Sequence, residues 1–144
     1  MKTLLPTLSA TTLVLASCAS TPSMSDDQML ALYRAHAGAP VTSFHDFGRF
    51  DSWTDIGDRA VAIWTRPSEA WLLELAGPCN GLEFTPAIGL SSQSGTVSAR
   101  FDSVLVRNGG IPEIPCTIQT IRPLDTKALK AAERAARDQA SGGT

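Results

Sequence analysis

Two periodicities divide the chain once its first apolar run has passed. Met29, Leu30, Tyr33 and Ala37 recur at helical spacing behind Ser25, an interval that puts side chains on one face of an α-helix. Ser25 and Gln28 form a capping-box pattern at its start. Gly38 and Pro40 stop it. From Val41 onward the period shortens toward two. Thr42 to Phe50 alternates loosely, with Phe44 and Phe50 on one side of a pleat, and Asp51-Ser52 and Gly57-Asp58 read as turns. Ala60-Val61-Ala62-Ile63-Trp64 is an unbroken apolar run suited to a central strand. Arg66-Pro67-Ser68 turns the chain, and Glu69 to Leu75 returns it as the second arm of a hairpin.

Gly77 to Gly81 is a loop, and Ala87 to Leu90 and Thr96 to Phe101 are the next two strands, with Asp102 to Val106 extending the second. Asn108-Gly109-Gly110 is a strong turn signal. Ile114 to Ile121 is the last strand. Pro115 places its start at an edge, because proline has no N–H for a ladder. Asp125 caps a closing helix from Thr126 to about Gln139, whose thin apolar face predicts loose docking. No strand–helix alternation occurs. The expected fold is mainly β (α+β): a small antiparallel sheet, sandwich or open barrel of about five to seven short strands, flanked by a short N-terminal helix and a C-terminal helix.

The leading segment carries an address. Lys2 precedes an apolar run that ends in Leu15-Ala16-Ser17-Cys18, which resembles a bacterial lipoprotein signal: positive start, apolar stretch, then small residues before a cysteine. The run is too short and too rich in Thr, Ser and Pro to span a bilayer, which takes about 20 apolar residues. Cleavage before an acylated Cys18 is expected, and an ordinary secretory signal is the alternative. Ala19 stands where lipoproteins held in the inner membrane carry aspartate, so the resemblance implies an outer-membrane lipoprotein facing the periplasm. The expected division is residues 1–17 as signal peptide, 18–24 as flexible tether, 25–124 as one β-rich domain with its N-terminal helix, and 125–144 as C-terminal helix and disordered tail.

Composition narrows the partners. The formal net charge is −2 and no long basic run occurs, which argues against nucleic acid, whose binding depends on clustered Lys and Arg. The three cysteines are Cys18, Cys79 and Cys116. With Cys18 spent on lipid, an oxidising compartment leaves one possible bridge, Cys79 to Cys116, worth about 4 kcal/mol by chain entropy. Two free buried thiols are the alternative.

Trp53, Asp58, Val61 to Thr65, Pro67, Ala70 to Leu73, Cys79-Asn80-Gly81-Leu82, Ile88, Phe101-Asp102-Ser103-Val104 and Cys116 to Leu124 together resemble a family of small proteobacterial proteins of unknown function, many with lipoprotein or secretory signals. The resemblance covers about Val41 to Leu129 and implies that Cys79 and Cys116 act as a pair. It implies no catalytic residue.

Candidate chemistry is sparse. No Gly-x-Ser-x-Gly elbow is present. The chain has two histidines. His45 neighbours Asp46, but adjacent strand residues point to opposite faces. His36 falls at a helix end, where an imidazolium suits the dipole. Asp46, Asp51, Asp55 and Asp58 lack calcium-loop spacing and read as turn residues. The carboxylate pairs Glu69 with Glu74, and Glu83 with Asp102, have no separation in space that sequence can fix. Asp102 reads as a buried carboxylate bracing a turn. Among the aromatics, Trp64 and Trp71 read as core. Trp53, beside a polar turn, is the expected partner contact. No metal and no cofactor is expected. The lead reading is a non-enzymatic, lipid-anchored envelope module that binds an envelope protein or glycan or serves a structural role; the alternative is an envelope enzyme or enzyme inhibitor.

Overall fold

A computed structural model describes residues 23–109 and 112–142. The expected signal peptide, Cys18 and most of the expected tether lie outside the described residues, as do Gly110, Ile111 and the last two residues. The elements run α1 (Asp26–Ala35), β1 (Ser43–His45), β2 (Ser52–Ile56), β3 (Ala60–Arg66), β4 (Glu69–Leu75), a 3₁₀ turn (Leu82–Phe84), β5 (Ile88–Leu90), β6 (Thr96–Ser98), β7 (Ser103–Val106), β8 (Ile114–Leu124) and α2 (Thr126–Ser141). Six strands form one antiparallel sheet in the order β2-β3-β4-β8-β7-β5, curled into a half-barrel, and β1 pairs with β6 as a separate two-stranded sheet.

Strand alternation builds two cores, one on each face of this sheet. Val61, Ile63, Leu73, Ile118 and Ile121 fill the inner face, which the β1–β6 pair closes with Phe44 and Val97. The other face carries Ala60, Ala62, Ala70 and Leu72 and receives the helices through Tyr33 and Leu129. The three alanines leave room there for the two helices to approach. The capping box at Ser25 and Gln28 is formed, and His36 is the C-cap of α1. Asp125 caps α2, accepting from the Ala128 N–H at 3.0 Å.

Four expectations change. Asp51-Ser52 is not simply a turn, because Ser52 opens β2 and pairs with Trp64. β2 is an edge strand, so its polar residues sit comfortably in water and its pairing comes from apolar β3. The strand expected over Thr42 to Phe50 stops at His45, where Phe47 (φ 52°) and Gly48 (φ 78°) turn the chain through the left-handed region. The strand expected through Phe101 ends at Ser98, because Arg100 adopts φ 69° and β7 starts afresh at Ser103. Among the described residues, these short pieces bring the strand count to eight, above the five to seven expected. Finally, α2 is docked and extends through Ser141: Leu129 is fully buried, Thr126 Oγ1 donates to the Ser68 carbonyl at 3.2 Å, and Lys130 Nζ donates to that of Pro67 at 3.0 Å.

The β3–β4 hairpin turns at Pro67-Ser68, as its sequence implies. β8 does begin as an edge: residues 114–116 pair with β7 alone, the Ala76 N–H just past β4 donates to the Thr117 carbonyl at 2.9 Å, and β4 pairs from Ile118 onward. Cys79 and Cys116 form a disulfide with Cα atoms 5.7 Å apart, inside the range a bridge requires.

One polar contact joins the helices. The Tyr33 hydroxyl donates to Glu133 Oε1 at 2.8 Å from a buried ring. Burial, then the hydrogen bond and charge of Glu133, push the phenol well above its ordinary value of about 10. The folded state therefore favours the protonated phenol. Its contribution is complete below about pH 10 and is lost as pH climbs beyond that. Tyr33→Phe is expected to cost about 1 kcal/mol at neutral pH and to flatten the alkaline fall in stability, measured as urea midpoints from pH 7 upward. An equally steep fall in the variant rejects this account.

Candidate functional site

The site begins with a carboxylate. Asp102 is 6% exposed, and a buried carboxylate needs donors. Its Oδ2 accepts from the Ser98 N–H at 2.7 Å, and its Oδ1 accepts from Ser91 Oγ at 3.1 Å. Ser91 Oγ in turn accepts from the Ser103 N–H at 2.8 Å. The Asp102 N–H returns to the Ser98 carbonyl at 2.9 Å, and the Arg100 N–H donates to that of Ile118 at 2.6 Å. Asp102 thus braces the turn between β6 and β7, as its sequence position implies. The turn's tip is left in solvent: Phe101 is 88% exposed.

β8 supplies the opposite wall. Glu74 pairs with Thr120 and Leu75 with Ile118, so Gln119 is an extra residue in the ladder, a β-bulge. On the strand's other side its neighbours change here. Ile118 bonds to Arg100 and Asp102, whereas Ile121 accepts from Val41 at 2.9 Å and Pro123 from Gly38 at 2.8 Å. Between them the seam opens into a cleft of about 610 Å³, walled by Pro40 to Ser43, Ser98 to Phe101, Gln119, Thr120 and Arg122. Bulges often stand beside functional sites because they re-aim side chains.

The cleft offers the guanidinium groups of Arg100 and Arg122, the Gln119 amide and the hydroxyls of Thr42, Ser43, Ser98 and Thr120, and none of its lining residues is Asp or Glu. Arg122 is partly engaged: Nη1 donates to the Gly38 carbonyl at 3.2 Å, and Nε lies 3.6 Å from Glu74. Glu74 also pairs with Arg34. Arg100 has no carboxylate partner among the described residues.

A similar brace holds the turn after β1. Buried Asp46 accepts from the Gly48 N–H at 3.0 Å and from Ser92 Oγ at 2.9 Å. The turn displays Phe47, 67% exposed, but the Arg66 guanidinium already covers that ring at 5.1 Å from its centroid.

The residues singled out in sequence fall elsewhere. Trp53 is half-buried in β2, opposite Ile63 and against the inner core, away from the cleft. Trp64 and Trp71 are half-buried too, each against a core, and Trp71 stacks on Phe44 with centroids 5.1 Å apart. His45, the last residue of β1, is exposed, and Asp46, the first residue past it, is buried in the turn; His45 Nδ1 lies 3.2 Å from Thr96 Oγ1. Glu69 accepts from Thr65 Oγ1 at 2.6 Å. Local desolvation, then the carboxylates of Asp26, Asp58 and Asp55, push Glu83 above the usual carboxyl range. Among the described residues, no three His, Cys, Asp or Glu side chains gather so as to hold a metal ion. Sequence reasoning missed Arg100, Phe101 and Arg122 as cleft residues. Phe101 sits beside Asp102 in a segment that reads as continuous strand, and the kink at Arg100 has no glycine to announce it.

These features define a mainly β protein of a curled six-stranded sheet and a separate two-stranded sheet, with a donor-rich cleft where the two meet. The chain matches a family described as Family of unknown function (DUF6491) over residues 1–140, and it belongs to that family. No curated protein and no solved structure matches it. No helix among the described residues is long and apolar enough to cross a membrane.

Proposed function

We propose that this protein is a lipoprotein of the cell envelope, anchored in the outer membrane through Cys18 and facing the periplasm, and that it works as a non-enzymatic binding module. The anchor follows from Leu15-Ala16-Ser17-Cys18 behind Lys2 and its apolar run. Two or more acyl chains hold such a protein firmly on a bilayer. The observation that carries the binding role is the turn braced by Asp102, which spends a buried carboxylate on holding Arg100 and Phe101 in solvent beside the cleft. An exposed aromatic next to an arginine is the composition of an interface anchor. The partner is an envelope protein or glycan, and Trp53 on the edge strand β2 is a second place for it to touch.

Two measurements test this reading. Palmitate labelling of the wild-type protein should be abolished by Cys18→Ser, and label that persists in the variant rejects the anchor. Phe101→Ser should keep the circular dichroism spectrum and melting curve of the wild type yet fail to complement a deletion strain. Full complementation by Phe101→Ser rejects the cleft as the working surface.

A further inference from the structure

We propose that the seam cleft takes a ligand presenting an anionic group, a carboxylate or a phosphate, beside a flat apolar one. The inference rests on reading this cleft as the binding site and adds the ligand's chemistry.

Backbone strain is the first support. Arg100 is held at φ 69°, a left-handed conformation that costs a side-chain-bearing residue about 1–2 kcal/mol and that glycine adopts freely. The turn is closed by main-chain bonds and by Asp102, and neither needs a side chain at position 100. The arginine also makes no ion pair among the described residues. Phe47 and Ser94 also adopt positive φ, so the strain at Arg100 points to function only together with its uncompensated charge in the cleft wall.

Charge is the second. The cleft's side chains supply two guanidinium groups and no carboxylate. Glu74 offsets Arg122, and nothing offsets Arg100 among the described residues. A cationic ligand would find no carboxylate among the described lining residues. A guanidinium fork, by contrast, matches the paired oxygens of a carboxylate or phosphate.

The third is the ring. Phe44 is stacked on Trp71 and Phe47 lies under Arg66, whereas Phe101 has no stacking or cation contact among the described residues. An uncovered ring beside an uncompensated guanidinium suits a ligand whose flat apolar part adjoins its charge.

The test uses ¹⁵N-labelled full-chain protein purified in mild detergent and titrated with phenyl phosphate, benzoate, inorganic phosphate and benzyl alcohol. Phenyl phosphate or benzoate should shift the amide signals of Ser98 to Phe101 and Gln119 to Arg122 saturably. Benzyl alcohol should bind at least about tenfold more weakly. The tighter of the two aromatic anions identifies the preferred headgroup. Arg100→Gly, which relieves the left-handed backbone and so preserves the turn, should weaken phenyl phosphate by about tenfold or more. Phe101→Ser should reduce phenyl phosphate to the level of inorganic phosphate. If benzyl alcohol binds the cleft as tightly as the anions, or Arg100→Gly binds unchanged, the anionic ligand is overturned while the cleft remains the site. If no probe shifts the cleft's signals saturably, the cleft reading falls with it.

Discussion

Replacing both bridged cysteines, Cys79→Ser with Cys116→Ser, is expected to lower stability by about 2–5 kcal/mol. The bridge spans 37 positions of sequence, so it removes much conformational freedom from the unfolded chain. It also ties the loop after β4 to the first residues of β8, the strand that links both halves of the six-stranded sheet. Cys79 is fully buried, its N–H donates to the Asp58 carbonyl at 2.7 Å, and Leu82 just beyond it is part of the inner core. Without the bridge that loop is held by Leu82 and a few main-chain bonds. Urea unfolding of the double variant beside the oxidised wild type measures the difference, and a loss below about 1 kcal/mol rejects the assigned role of the bridge. The double replacement is the right comparison, because a single one leaves a reactive thiol.

Asp102→Ala is expected to cost about 2–3 kcal/mol, the penalty for stranding buried donors that served a charged acceptor. The Ser98 N–H loses its partner, and Ser91 loses the acceptor that orients its hydroxyl toward Ser103. The damage should be local as well as global. Amide exchange at Arg100, whose N–H reaches the Ile118 carbonyl, should accelerate far more than exchange at Ile63 or Leu73 in the central strands. Asp102→Asn should fall between wild type and Ala, since the amide oxygen can still accept from the Ser98 N–H and its NH₂ can donate to the Ser91 hydroxyl, but the charge that strengthens these bonds is gone. Unchanged exchange at Arg100 in the Ala variant would show that the turn holds without its brace.

What could be read from the chain follows from how local each signal is. The β3–β4 hairpin is written in two apolar runs around Pro67, and α1 in its capping box, because both are decided by neighbours in sequence. Asp102 was legible because it lies between the apolar residues Phe101 and Val104 in sequence, of which Val104 is buried, and a carboxylate drawn inward there has to collect donors from its own turn. β2 was not: Ser52 to Ile56 becomes a strand only because β3 offers it a partner, a tertiary effect that no local preference records. The docking of α2 rests on Leu129, on bonds from Thr126 and Lys130 to the β3–β4 turn, and on a Tyr33–Glu133 pair a hundred residues apart in sequence, none of which its thin apolar face announces. The cleft was hidden for the same reason. Its walls come from three segments distant in sequence, and it opens where β8 gains one residue at Gln119. The tryptophans are the conspicuous aromatics of the sequence, yet all three are half-buried against a core, while the most exposed aromatics are phenylalanines on turns and short loops.

Helix α1 also sets a distance. Its first turn follows directly on Ser23 and Met24, and the residues beyond its last turn, Gly38 and Pro40, run into the cleft's wall. Its ten residues separate these two points by about 15 Å at 1.5 Å per residue. With Cys18 acylated, the stretch from Cys18 to Ser23 adds at most about 3.6 Å per residue. Under the proposed anchor, the cleft would lie at most on the order of 30–40 Å from the acylated residue. A soluble ligand can reach it anywhere along the membrane, but a partner fixed to another structure has to stand within that radius, so lengthening the stretch before Ser23 would widen the set of partners within reach without altering a single contact in the cleft.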